Sequence, residues 1–64
     1  MKIISQLPAA EYTVIEVSEK NYFGKYAIIE GSKYNTEIVY DLPNHIAIKA
    51  LGDFVGKTVT FSDQ

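Results

Sequence analysis

Residues 11–30 read EYTVIEVSEKNYFGKYAIIE, and this stretch decides the fold. From Tyr12 to Val17, four residues are β-branched: Thr13, Val14, Ile15 and Val17. A second run, Lys25 to Glu30, is built on Tyr26, Ala27, Ile28 and Ile29. β-branched and aromatic side chains fit the pleated, half-buried surface of a sheet. The stretch therefore predicts two strands. Between them lies SEKNYFG, in which Asn21 and Gly24 are the residues most able to take positive φ. Tyr22 and Phe23 stand in this loop, where two bulky rings need a partner or a core to cover.

Alternation within the strands predicts their faces. Thr13, Ile15 and Val17 share one face of the first strand, with Ile15 and Val17 inward, because Glu16 marks the opposite face as wet. In the second strand Tyr26 and Ile28 oppose Lys25, Ala27 and Ile29. Gly31 and Ser32 begin a turn that Asn35 closes, and Thr36 to Tyr40 forms a third strand. Upstream, Met1 to Leu7 reads as a short first strand or an arm, ended by Pro8, which has no N–H for a ladder. Downstream, Lys57 to Phe61 reads as a last strand, with a fraying tail from Ser62. Ile15, Ile28, Ile38 and Val59 are the expected core.

Residues 41–52, DLPNHIAIKALG, fit two patterns. Ile46, Ile48 and Ala50 alternate as in a strand. Asp41 or Asn44 as N-cap, Pro43 in a first turn and Gly52 as a stop fit a short helix. The caps and the proline favour the helix.

The chain has 64 residues, which is one domain, residues 1–64. A domain of about this size buries only roughly 60% of the surface its unfolded chain exposes. There is no cysteine, hence no disulfide and no thiolate metal site. The six cations are all lysine, and eight acids leave a net charge of −2. A non-specific duplex binder is usually clearly basic, and arginine is the best bidentate partner for phosphate and guanine. No apolar run reaches the roughly 18 residues of a membrane span, and the N-terminus lacks the apolar centre of a signal peptide. A cytoplasmic protein is expected, in the host cytoplasm if it is viral.

With EYTVIEV opening the sheet, FGKYAIIE as second strand and GKTVTF as closing strand, residues 11–61 resemble small OB-fold single-stranded-DNA-binding proteins of phages and viruses. The resemblance implies a mainly β fold: a small OB-like antiparallel β-barrel with one short helix before the last strand. It also implies a nucleic-acid face on the second and third strands and the loop between the first two. Carried onto this sequence, the nucleic-acid-binding positions are Tyr22, Phe23, Lys25, Tyr26, Lys33 and Tyr34.

Other constellations carry less chemistry. Residues 52–58, GDFVGKT, look like a phosphate loop, but three residues separate the glycines where four are required, and β-branched residues follow instead of a helix. His45 is the single histidine, with no nucleophile or second ligand near it in sequence. Asp41 and Asp53 read as a cap and a turn residue. No catalytic residue, metal site or cofactor is expected, so the chain reads as a binding module and not an enzyme. Aromatic rings offer bases a stacking surface and neighbouring lysines track phosphates. The leading expectation is therefore single-stranded nucleic-acid binding. The alternative is a small acidic viral or phage protein that binds and inhibits or redirects a host protein, with Glu11, Glu16, Glu19, Glu30, Glu37 and Asp41 facing a basic groove. Unhidden strand edges in so short a chain predict a homodimer or larger homo-oligomer.

Overall fold

A computed structural model describes residues 1–19 and 23–64. Six strands form one antiparallel sheet: β1 (Ile3–Ala9), β2 (Tyr12–Val17), β3 (Tyr26–Ile29), β4 (Ser32–Ile38), β5 (His45–Ile48) and β6 (Val59–Ser62). Their spatial order is β1-β2-β5-β4-β3-β6. β3, β4 and β5 follow one another as neighbours, and β2 lies beside β5, which is a Greek-key arrangement. The mainly β expectation holds.

Two features depart from the sequence reading. Among the described residues there is no helix, and residues 45–48 are β5. Asn44 takes a left-handed φ of 59°, which ends the loop and turns the chain into the strand instead of capping a helix. β5 then pairs on both sides, Ile15 opposite Ile46 from β2 and Ile38 opposite Ile46 from β4. Two flanking ladders and the burial of Ile46, Ala47 and Ile48 outweigh the weak local preference for a helix.

Nor is the sheet closed. β1 and β6 share no continuous ladder, and their ends meet at one antiparallel bridge, Lys2–Thr58. Main-chain hydrogen bonds surround that bridge: Ile3 N–H donates to the Lys57 carbonyl at 2.9 Å and Val59 N–H to the Met1 carbonyl at 2.8 Å.

The first strand runs through Pro8, which sits opposite Thr13. An edge strand tolerates proline because one of its sides needs no donor. A bulge between Ile3 and Ser5 resets the alternation: Ile3 pairs with Val17, but Ser5 pairs with Glu16 and Gln6 with Ile15. The β3–β4 hairpin turns on Glu30 and Gly31, with φ of 50° and 82°. Positive φ at both central residues is the type I′ geometry that suits the twist of a hairpin. The turn thus closes at Ser32, and Asn35 lies within β4.

The core is Ile3, Ile15, Val17, Ala27, Ile29, Ile46, Ile48, Phe54 and Val59. Ile15, Val17 and Val59 are inward as expected. Ile28 and Ile38 are not: Ala27 and Ile29 form the buried face of β3, and Ile38 is exposed. Opposite Ala27 on either side stand Tyr34 and Phe61, whose bulk fills the space that the small alanine leaves. Phe54, in the loop before β6, plugs one end of the core. Gln6 holds it there: its Oε1 accepts from Phe54 N–H at 2.6 Å, and its Nε2 donates to the Gly52 carbonyl at 2.7 Å.

Candidate functional site

Of the six residues that the resemblance marks, the five described divide between the core and the outer face. Tyr22 lies outside the described residues. Phe23 is half-buried and packs edge-on against Phe61, with ring centroids 5.0 Å apart. Tyr34 packs edge-on against Phe54 at 5.9 Å. Both rings serve the core, because β4 places Tyr34 on the same side as Ala27 and the β3 entrance folds Phe23 over the opposite end. Each ring is therefore partly covered by the core and its aromatic neighbour.

Tyr26 and Lys33 do come together. Tyr26 faces outward on β3, and Lys33 faces outward on β4 opposite Ile28. The Lys33 Nζ lies over the Tyr26 ring, 4.7 Å from its centroid. Such an ammonium is drawn to the ring's negative face. Asn35 and Ser62 flank Tyr26 in register, and Thr60 flanks Ile28, so polar side chains surround this pair on the outer face. Lys25, just before β3, is exposed, and its N–H donates to Asp63 Oδ1 at 3.3 Å.

Sequence reasoning missed residues brought to the same face by pairing. Thr36 opposes Ile48, and the N–H of Lys49 donates to the Asn35 carbonyl at 2.9 Å, so Lys49 continues the row of Asn35 and Tyr26. Thr13 also opposes Ile48, which brings Tyr12 level with Lys49 on its other side. Lys49 is exposed and Tyr12 is half-buried. Inward alternation of Ile46 and Ile48 was the available signal for Lys49 facing out, once 45–48 is a strand.

A second feature lies at the end of the sheet near Phe23. A pocket of about 280 Å³ is lined by Phe23, Gly24, Lys25, Thr36, Ile38 and Ile46, with Glu37 at its side. Ile38, and Tyr40 and Leu42 further along the chain, are 66%, 88% and 39% exposed.

The remaining candidates have structural roles. His45 Nδ1 lies 2.6 Å from the Pro43 carbonyl, which can only accept, so Nδ1 carries the proton and the ring is tied to its own loop. Asp53 Oδ1 accepts from Val55 N–H at 3.3 Å, a turn contact. Asp41 has no helix to cap. Lys57 of the phosphate-loop-like stretch pairs with Glu30 at 2.8 Å. The hydrogen bond and charge of Glu30 hold its ammonium above the ordinary lysine value. Among the described residues no three His, Asp or Glu side chains gather as metal ligands, and no helix is long and apolar enough to cross a membrane.

No known family, curated protein or solved structure matches this chain.

Proposed function

We propose that the chain is an OB-like, non-catalytic module that binds single-stranded nucleic acid on the outer face of β3 and β4. The observation that carries this reading is the Tyr26–Lys33 pair, a ring and a cation presented together among polar neighbours. A base stacks on the ring without regard to its identity, and Lys33 beside it meets a phosphate. The resemblance of FGKYAIIE to the second strand of OB-fold binders supports it. Net negative charge makes the affinity modest and the salt dependence shallow. The test is a salt titration of binding to labelled oligo-dT and to a duplex of equal length. Binding to the single strand that weakens with salt, with the duplex weaker, is the expected result. No salt-sensitive binding to any single strand overturns the reading.

A second reading rests on a separate observation: Ile38, which lines the pocket, and the nearby residues Tyr40 and Leu42 in the same segment are exposed. A patch of exposed apolar side chains is the usual mark of a protein contact. Glu37 and Asp41 beside it fit a partner with basic groups around an apolar centre. If Tyr40→Ala abolishes capture of a partner protein while no oligonucleotide binds, this reading replaces the first.

A further inference from the structure

Resting on the single-strand reading, we infer that the strand crosses the sheet from β3 to β2, with Tyr12 as a second stacking position and Lys49 between the two rings. The register places Tyr12, Lys49, Asn35 and Tyr26 in one row of the outer face, each on its own strand or directly beyond it. Strands lie 4.7–4.9 Å apart, so three steps separate the tyrosines by roughly 14 Å. At about 3.4 Å per phosphate that distance holds about four stacked nucleotides. The molecule is only 24 × 22 × 20 Å across, so this lane takes up more than half of its width.

The neighbouring rows decide the direction. Toward one side the outer face carries Val14, Ala47 and Glu37, and then Glu16 opposite His45. Two carboxylates there repel a phosphate backbone. Toward the other side Lys33 leans its ammonium back onto Tyr26, into the lane. A path along β3 alone would leave the lane after one ring, since Ile28 is the next outward residue. Across the strands, the sequence of groups is ring, amide, cation, ring. That order alternates a base platform with a phosphate partner.

The experiment measures fluorescence anisotropy of labelled dT4, dT8 and dT16 with the wild type, Tyr26→Ala, Tyr12→Ala, Tyr12→Leu and Lys49→Gln. Loss of either ring is expected to weaken binding roughly 5- to 150-fold, the range of one lost base stack. Lys49→Gln is expected to lower the salt slope by about 0.7, one phosphate contact on a single strand. Circular dichroism reports whether each variant folds. Amide shifts in the wild type titrated with dT8 give a readout that needs no variant, with Tyr12 and Lys49 expected to move together with Tyr26. Should the wild type bind while Tyr12→Leu and Lys49→Gln bind equally well and neither amide moves, the crossing path is overturned and the single-strand reading stands. Should the wild type bind no oligonucleotide at all, both fall.

Discussion

Isoleucine at two positions of this chain has two different energetic meanings. Ile15 is fully buried, and Ile15→Ala is expected to cost about 2–5 kcal/mol, enough to unfold a small domain. Ile38 is mostly exposed, and Ile38→Ala should change stability by less than about 0.5 kcal/mol. Urea midpoints of the two variants check the pair, and equal losses would mean the core is misplaced. Gly24 makes a different demand. A Cβ there would stand 2.5 Å from the Ser62 carbonyl oxygen, a backbone atom that cannot swing aside. Gly24→Ala is therefore expected to cost roughly 1–3 kcal/mol through overpacking, measured in the same titration. The glycine that sequence reading kept for its φ freedom is needed for closeness to β6.

Between elements, the β3–β4 turn is strained at Glu30, a non-glycine residue at φ 50°. Glutamate has no local hydrogen bond to favour the left-handed region, whereas asparagine visits it readily. Glu30→Asn should raise stability by roughly 1 kcal/mol or less, read as a higher urea midpoint. It also removes the exposed pair with Lys57. Because Glu30 raises the Lys57 value, the pair's contribution is complete below the ordinary lysine value of 10.5 and is lost as pH rises through the raised one. Wild type should thus lose a stability increment above pH 10.5 that Glu30→Asn no longer has to lose, and thermal midpoints across that range would show it. β5 is testable more directly: its Cα and Cβ chemical shifts should be those of a strand from His45 to Ile48.

For the molecule as a whole, charge sets the terms of binding. Six lysines against eight acids give no broad positive field, so only local cations contribute. If Lys33 and Lys49 each meet one phosphate, the logarithmic salt slope should be about −1.4, at roughly 0.7 per contact. A slope far steeper would point to counterions released elsewhere and to a different face. The expectation of a homodimer rested on unhidden edges. The Lys2–Thr58 bridge covers the ends of both edge strands, while Ile38, Tyr40 and Leu42 are exposed elsewhere. Light scattering across concentration, with Tyr40→Ala alongside, separates these two causes.

That the chain is mainly β, that Tyr12–Val17 is a strand with Ile15 and Val17 inward, and that Gly31 turns a hairpin can all be read from the residues alone. These follow from local preference and strict alternation, which need no knowledge of the partner strand. The tertiary structure decided the rest. Residues 45–48 became a strand because β2 and β4 offered ladders on both sides, a non-local gain that no cap signal reveals. Which face of β3 is buried depended on Tyr34 and Phe61 flanking Ala27 from either side. The candidate site obeys the same logic. Tyr26 and Lys33 are seven residues apart on one hairpin and were legible in sequence. Tyr12 and Lys49 join them only through the pairing register, because neighbours across a sheet are chosen by hydrogen bonding between strands and not by distance along the chain.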